Sequence, residues 1–300
     1  MSSVHTTAYQ RLVAAAAGLK VPDAVRQVAT APPQDPQPGQ IWRAVWEDTI
    51  QLLLITAAGG DDTLRAVPAS FERYADTLLL PAQATTLEQP LALWWSLEAT
   101  LPWCVLDRQV SELTGRPPAL TSRTLAAAVP GTQWGSGAAP SAPTIEYRGV
   151  LADQLALLAS AQWVPQGSGG LNQLFRDHGI TAMQLGAELK LPPPQALAIW
   201  RGQLALTADQ AATLAERLGQ SASQLLAANP ALPPAVVHEL NRPLRRKQVK
   251  ALAAQHDETE REARLRAAYG IYTLAARDDD RTQPNWTART DRYFELRLGE

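Results

Sequence analysis

The chain has 300 residues, 46% of them hydrophobic, and its 27 basic and 29 acidic side chains give a formal net charge of −2 at pH 7. This length is sufficient for two or more hydrophobic cores, and the near-neutral charge excludes a strongly polybasic protein while leaving room for a local basic patch. The single cysteine, Cys104, excludes an internal disulfide, and no apolar run approaches the ~18 residues of a membrane span, so we expect a cytoplasmic protein without a membrane partner.

Residues 1–30 predict an N-terminal helical arm. Ala14–Ala17 lie in an apolar stretch with Arg11 and Lys20 beside it, and no cleavage pattern of a secretory signal peptide follows. A proline-rich break over residues 31–39 ends the arm, because proline fixes φ and removes a backbone donor.

Residues 38–115 predict a small, mostly β domain. β-Branched and aromatic residues dominate several short runs that turn signals separate. These runs are 40–45, 50–56, 63–67, 77–80, 91–95 and 103–106. Gly59–Asp62 is typical of a hairpin loop, whereas Asp107–Leu113 predicts a helix. Of the neighbouring Trp94 and Trp95 we expect one in the core, because adjacent strand residues face opposite ways.

This region resembles the MazF/PemK toxin family. Pro38-Gly-Gln-Ile-Trp42 matches the family's first strand, and Val105–Leu113 matches the strand that closes its barrel and enters a helix. The resemblance implies an SH3-like barrel and an RNase that uses an arginine and a hydroxyl. Ser70 could supply the hydroxyl, but Asp48-Thr49 stand where the arginine belongs, which removes the cation that stabilises the transition state. Ser70 can equally be a turn or capping serine.

Residues 116–144 predict a linker, since Pro, Gly and Ser dominate 129–143 without apolar periodicity. After the linker, Tyr147–Trp163 carries leucines at helical spacing. We expect this helix to pack on the helical region that follows it.

Three S/T-x-x-Q strings predict helix starts between residues 171 and 226. They begin at Thr181, Thr207 and Ser221, and in each one the hydroxyl and the amide side chain can satisfy backbone N–H groups reciprocally. Gly219 is placed for a left-handed helix end. Short helices separated by tight turns are therefore expected.

The string Gly179–Gly202 resembles, without a gap, the helix-turn-helix of the Xre/Cro family, and 206–226 looks like the fourth and fifth helices of that family. The resemblance implies a five-helix, lambda-repressor-like domain whose second motif helix meets DNA bases. The positions that ordinarily do so hold Pro192, Pro193, Pro194, Gln195, Leu197 and Ala198. Only Gln195 among them could read a base. Base reading and a role in packing or partner binding both stay open.

Charge gives no sign of DNA binding in this region, because residues 171–229 contain four basic and four acidic side chains. The stronger electrostatic signal lies in residues 230–300, which predict a helical extension. Arg242, Arg246 and Lys250 fall at i, i+4 and i+8 on one helix stripe.

Arg245 and Lys247 flank this basic stripe, which could lie along a phosphate backbone. It could instead pair with the acidic stretch 256–262. A last helix over 285–298 carries an apolar stripe that could dock back or bind another copy of the chain. The four histidines are dispersed, and no metal-ligand spacing or cofactor motif is present, so we expect neither a metal nor a cofactor.

These patterns together predict an α+β multidomain protein, with a small SH3-like β-barrel domain followed by an all-α lambda-repressor-like domain and extra C-terminal helices. The expected divisions are an arm (1–30), a barrel (38–115), a linker (116–144), a repressor-like domain (145–229) and a helical extension (230–300).

The leading functional hypothesis is a non-enzymatic DNA-associated regulator of bacterial type with a degenerate helix-turn-helix. Its candidate DNA-binding side chains are Gln184, Lys190, Gln195, Arg201, Arg242, Arg245, Arg246, Lys247 and Lys250. One alternative is a MazF/PemK-like RNase or its inactivated descendant. Another is a protein-binding adaptor that uses the helix-turn-helix as an interface. Besides DNA, a protein partner and a homodimer are compatible with the sequence.

Overall fold

The computed structural model describes residues 23, 30–31, 33–115, 117, 119–135, 139–164, 169–275 and 285–299, without the side chains at 208, 223, 273 and 275. Within them the chain is α+β, as predicted: an antiparallel sheet precedes a long series of helices. The chain forms two compact units. The described residues within 1–59, 64–101 and 105–159 form unit 1, and those within 60–63, 102–104 and 160–300 form unit 2. The expected N-terminal arm lies outside the described residues, apart from positions 23 and 30.

No helix in the described part of the chain is both long and apolar enough to cross a membrane.

The sheet belongs to unit 1 and has the strand order β7-β1-β2-β3-β5-β4-β8, with β6 paired to β3. Its strands are β1 (Gln40–Trp46), β2 (Thr49–Ala58), β3 (Thr63–Ser70), β4 (Leu78–Leu80), β5 (Leu91–Leu93), β6 (Ala99–Pro102), β7 (Leu106–Glu112) and β8 (Gln133–Trp134). The end of β7 returns to the segment after β4, where an isolated bridge joins Thr85 and Leu113. The sheet therefore curls around a core that contains Ile41, Leu54 and Val67.

The structure replaces the helix expected over Asp107–Leu113 with strand β7. This strand pairs with β1, and the pairing register shifts twice, between Ile41 and Trp42 and between Arg43 and Ala44. A bulge breaks the alternation of inward and outward residues, which is why no period of two is visible in the sequence. The run 103–106 also differs, because Trp103–Val105 form a 3₁₀ turn.

Residues 122–134 are a folded part of unit 1 rather than the linker that the sequence predicts. Helix α1 (Ser122–Ala128) begins with a reciprocal pair of hydrogen bonds between Thr121 and Thr124. Leu125 and, just beyond the helix, Val129 are both buried in the core of the sheet. Two apolar side chains four residues apart are enough to dock so short a helix, although they are too few to stand out in a Pro- and Gly-rich stretch.

Helix α2 (Ala142–Ala159) packs against β1 and β2 within unit 1. The expectation that this helix packs on the region after it is therefore wrong. Leu151, Leu155 and Leu158 form its buried side. Because α2 covers one face of the sheet and the core fills the other, β2 buries both Leu53 and Leu54 completely.

Unit 2 is helical. Its helices are α3 (Leu171–Asp177), α4 (Ala182–Leu189), α5 (Pro193–Trp200), α6 (Ala208–Leu218), α7 (Ala222–Ala227), α8 (Pro234–Asn241), α9 (Arg246–His256), α10 (Glu260–Ala275) and α11 (Trp286–Leu298). The three predicted helix starts are confirmed, since Thr181, Thr207 and Ser221 each form the reciprocal capping bonds that begin α4, α6 and α7. Gly219 ends α6 with a φ of +60°, as expected.

The last helix docks back inside unit 2, which decides between the two roles left open for its apolar stripe. Tyr293 and Phe294 are buried. Gly270 allows the close approach of α10 to α11, because a Cβ at this position would lie 2.2 Å from the Tyr293 ring.

Candidate functional site: the helix-turn-helix

Helices α4 and α5 form a tight helix-turn-helix. Lys190 ends α4 in the left-handed conformation, with a φ of +52°, and the N–H of Leu191 donates to the carbonyl of Gly186 at 2.9 Å. Gly186 also sets the spacing of the two helices, because a Cβ there would lie only 3.1 Å from the Cβ of Ala196. A larger residue at either position would push the helices apart.

Two hydrogen bonds from buried or half-buried side chains fix α5 against its neighbours. The indole N–H of Trp200 donates to the carbonyl of Ile180 at 2.6 Å. The side-chain amide of Asn172 donates to the carbonyl of Trp200 at 2.9 Å. The exposed side of α5 is thus held on a rigid support rather than on a loop.

The exposed start of α5 consists of three prolines. Pro192 occupies the N-cap, and Pro193 and Pro194 the first turn. Proline has no backbone N–H, and the next amide, that of Gln195, already donates to the carbonyl of Pro192 at 3.0 Å. The anion site that a helix start normally offers through its free N–H groups is therefore removed.

Beside the prolines, the exposed surface of the helix-turn-helix mixes apolar and polar side chains. Met183, in the first turn of α4, has 82% of its surface exposed. Leu197 and Ala198, on α5, are half-buried. Lys190 and Arg201 lie exposed at the C-terminal ends of the two helices, and the polar side chains of Thr181, Gln184 and Gln195 are exposed as well.

The four candidate DNA-binding side chains of the helix-turn-helix differ in whether they are available to contact DNA. Lys190, Gln195 and Arg201 are exposed. Gln184 is exposed as well, but its carbonyl oxygen accepts from the backbone N–H of Thr181 at 2.9 Å and from its hydroxyl at 3.0 Å. This side chain holds the start of α4 in place and is committed to that role.

The basic stripe of residues 242–250 is largely internal to unit 2. Arg245 and Arg246 are only 3% and 2% exposed. Arg245 donates to Glu239 at 2.9 Å and also pairs with Asp291, while Arg246 donates to Glu260 at 2.9 Å. The two guanidinium groups are therefore not at the surface, where a phosphate stripe needs them.

Glu239 is the acidic centre of this buried network. Arg242 lies 3.3 Å from the Glu239 carboxylate and is half-buried. Burial acts to raise the pKa of Glu239, but the hydrogen bond from Arg245 and the charges of Arg245 and Arg242 outweigh burial and lower the pKa. Lys247 and Lys250 remain exposed. The spacing of Glu239 and Arg242, i and i+3 on one chain segment, is the sequence signal for this network that pattern reading missed.

Ser70 is held in a packed aromatic cluster in unit 1. Its hydroxyl accepts from the indole N–H of Trp94 at 3.0 Å and donates to the carbonyl of Glu72 at 3.1 Å. Burial raises the pKa of Tyr147, against a hydrogen bond with the same hydroxyl. Tyr74 stacks on Tyr147 with ring centroids 5.1 Å apart. These contacts account for Ser70 as a structural residue that joins α2 to the sheet.

The second candidate position on this sheet is the one at which the toxin family has an arginine. Asp48, where the toxin family's arginine would stand, is exposed in the turn between β1 and β2. Arg43, on β1, donates to Asp107 at 2.8 Å. Of the two tryptophans considered for the core, Trp94 is fully buried, and Trp95 is half-buried and packs against the core of the sheet. Strand alternation is not the cause, because β5 ends at Leu93 and Trp95 begins a 3₁₀ turn.

A polar chain in unit 2 was not visible in the sequence, because its members are up to 179 residues apart. The indole N–H of Trp163 donates to Asn241 at 2.7 Å, Asn241 donates to Asp62 at 2.9 Å, and Asp62 also bonds His238. The carboxylate of Asp62 is thereby shared by two helix-borne partners, which pins the left-handed Asp62, whose φ is +61°.

No protein-family model, curated protein or solved structure matches the chain. Among the described residues, no group of three or more His, Cys, Asp or Glu side chains is placed to hold a metal ion.

Proposed function

We propose that the chain is a non-enzymatic adaptor that binds another protein through the helix-turn-helix of α4 and α5. In this proposal α3–α7 are a lambda-repressor-like domain of Xre/Cro type, and the sheet of unit 1 is an SH3-like barrel of MazF/PemK type. The reciprocal helix starts and the close contact of Gly186 with Ala196 support the first assignment. The return of the sheet onto itself at Thr85 and Leu113 supports the second.

The observation that carries the adaptor proposal is the proline start of α5. A helix that reads DNA needs side-chain donors and acceptors for base edges, and cations or free amides for phosphates. Pro192–Pro194 supply none of these groups at the position where they are needed. An apolar end is instead suited to bury against the apolar surface of a protein.

Met183 provides the second apolar contact on the same motif. Burying a side chain of this size contributes roughly 1.5–3 kcal/mol, which is the scale of an energetically dominant interface residue. Because Met183 is almost fully exposed, most of that free energy is available to a partner rather than already used in folding.

Site-specific photo-crosslinking in the native cells tests the adaptor proposal. A photoreactive residue in place of Met183 should give a discrete protein adduct, and the adduct should disappear when Pro194 is replaced by glutamate. The matched control places the same residue at Thr213, which is exposed on α6 and should give no such adduct. A nucleic-acid adduct at Met183 without a protein adduct would refute the proposal.

A non-enzymatic DNA-associated regulator is the second candidate, favoured by the cations that stay exposed. Lys190, Arg201, Lys247 and Lys250 are all on the surface, and each phosphate contact adds about one unit to the salt dependence of binding. Fluorescence anisotropy with a mixed-sequence duplex over a salt series tests this candidate. Replacing Lys247 and Lys250 with alanine should flatten the salt slope, and an absence of binding at low salt would remove the candidate.

Substitution of Gln195 distinguishes weak sequence-specific DNA binding from DNA binding without sequence preference. If this side chain meets a base, Gln195→Ala should cost about 1–3 kcal/mol at one base pair. If α5 does not enter a groove, a selection from random DNA should enrich no motif and the substitution should change nothing.

A further inference from the structure

The helix-turn-helix carries two cations that stay unpaired in the described part of the chain. Lys190 at the end of α4 and Arg201 at the end of α5 are exposed, and neither side chain forms an ion pair there. Residues 181–203 contain one carboxylate, that of Glu188, and it is paired with Arg217 of α6. The charge that the helix-turn-helix offers to a partner is therefore positive.

A third cation lies beside the end of α5. The guanidinium of Arg176, on α3, lies 5.4 Å from the centroid of the Trp200 ring, and Trp200 directly precedes Arg201. Arg176 is exposed, and its neighbour Asp177 accepts from the side-chain amide of Gln173 at 2.7 Å. Because the face of an aromatic ring attracts a cation, Arg176 is held near the cationic end of α5.

Exposed apolar side chains precede both terminal cations. On each helix they lie on the same side as the cation, because residues three or four positions apart share one helix face. We call these residues the α4 and α5 stripes: Met183, Ala187 and Lys190 on α4, and Pro194, Leu197 and Arg201 on α5. All of them are exposed except Leu197, which is half-buried.

Charge decides which partner fits the α4 and α5 stripes. Phosphates of a nucleic acid would satisfy the cations, but they would gain nothing from Met183, and the proline start of α5 withholds the amides that bind phosphate. An uncharged apolar segment would leave the cations at the rim without opposite charges. A protein segment with carboxylates around apolar side chains satisfies both parts of the surface, since complementary charges at the rim of an interface fix its register and suppress wrong partners.

We propose that the helix-turn-helix binds an acidic segment of another protein, whose apolar side chains cover Met183 and Pro194 and whose carboxylates pair with Lys190, Arg201 and Arg176. The proposal rests on the adaptor function and goes beyond it by naming the chemistry of the partner. Because the three cations are exposed, their pairing acts on the rate of association and the choice of partner more than on the buried apolar area.

Selection of random linear peptides displayed on phage tests this chemistry, with the full chain as the target. The unaltered chain should enrich peptides that combine apolar residues with Asp and Glu. The double variant Lys190→Glu with Arg201→Glu should enrich Lys and Arg in their place. The matched control, Arg261→Glu with Arg292→Glu, makes the same change in net charge at exposed cations elsewhere in unit 2. This control should keep the acidic preference, which separates local charge from net charge.

Fluorescence anisotropy of one enriched peptide measures the contribution of each part of the surface. The double variant Lys190→Glu with Arg201→Glu should weaken binding at least about tenfold, and added salt should weaken binding to the unaltered chain. Met183→Ser should also weaken binding about tenfold, because the peptide then loses its apolar contact on α4. The control Arg261→Glu with Arg292→Glu should leave the affinity unchanged.

The possible outcomes distinguish this proposal from the adaptor function. Enriched peptides that depend on Met183 but are neutral or basic would overturn the acidic partner and leave the adaptor function in place. A selection that yields no peptide dependent on Met183 would refute both. Tighter binding of a mixed-sequence DNA duplex, lost in the double variant and unchanged by Met183→Ser, would assign the cations to phosphates and overturn the proposal.

Discussion

Replacing Arg245 with methionine should destabilise unit 2 by about 3 kcal/mol. Removing one partner of a buried ion pair costs about 3–5 kcal/mol, because the remaining charge is left in an apolar interior. The Glu239 carboxylate would keep Arg242 at 3.3 Å and the Thr287 hydroxyl at 3.1 Å, and these two remaining partners place the expected loss at the lower end of that range.

Lys247→Met is the matched control for this substitution. Lys247 is the exposed neighbour of the same stripe, and surface substitutions of this kind usually change stability by no more than ~0.5 kcal/mol. The double substitution Arg245→Met with Glu239→Leu should recover most of the loss, because replacing both members of a buried pair by apolar residues is often nearly neutral.

Urea unfolding, monitored through the hydrogen exchange of backbone amides in α8–α11, measures the changes in the free energy of unfolding of unit 2 alone. The pH dependence gives an independent check. The pKa of Glu239 is lowered in the folded state. The contribution of its carboxylate to the free energy of unfolding is therefore present above the unfolded-state pKa of about 4.3 and is lost as the pH falls through the lowered folded-state pKa. Arg245→Met should therefore show a smaller loss of stability on acidification than the unsubstituted chain. Equal and small effects of Arg245→Met and Lys247→Met would refute the internal role of Arg245.

Three further substitutions test other parts of the fold. Ser70→Ala should destabilise unit 1 by about 1–3 kcal/mol, because it leaves the buried indole N–H of Trp94 without an acceptor, and thermal unfolding followed by tryptophan fluorescence measures the loss; a neutral result would contradict the structural role. Gly270→Ala should cost about 1–3 kcal/mol, since the new Cβ would overlap the Tyr293 ring, and an unchanged urea midpoint would show that α10 and α11 are not in close contact. Burial raises the pKa of Tyr269 to about 12. The contribution of this neutral phenol to the free energy of unfolding is therefore present below the ordinary tyrosine pKa of about 10 and is lost as the pH rises toward 12. Absorbance titration should show that the tyrosine removed in Tyr269→Phe ionises at a higher pH than an ordinary tyrosine.

Local signals were predictable from the sequence, and signals that depend on a distant partner were not. Thr181 and Gln184 satisfy each other within three residues, so their capping bonds could be deduced without knowing the rest of the fold. Strand β7 could not, because its pairing with β1 contains two register shifts that hide its alternation. The helix at Leu125 was missed for a related reason, since its stability comes from packing against core residues such as Ile41 and Leu54, which lie far from it in the sequence.

The same distinction explains the basic stripe. Helical spacing correctly placed Arg246 and Lys250 one turn apart, but spacing cannot say which side of a helix faces Glu260. Arg245 and Lys247 are two residues apart, and one lies inside unit 2 while the other is exposed. The positions of the neighbouring acidic helices must therefore be known before a basic side chain can be assigned to an internal ion pair or to the surface.

Unit 2 is assembled from three separate stretches of chain, and this has a consequence for how the protein can be divided. Asp62 bonds Asn241 and His238, and the carbonyl of Cys104 accepts from Arg264 at 3.2 Å. A single cut near residue 160 would remove both sets of partners from the helical half. A fragment starting at residue 160 would lack the Cys104 carbonyl as an acceptor for Arg264, which would keep only Glu260 and the carbonyl of Leu240. Such a fragment is therefore not a self-contained module that a gene fusion could transfer.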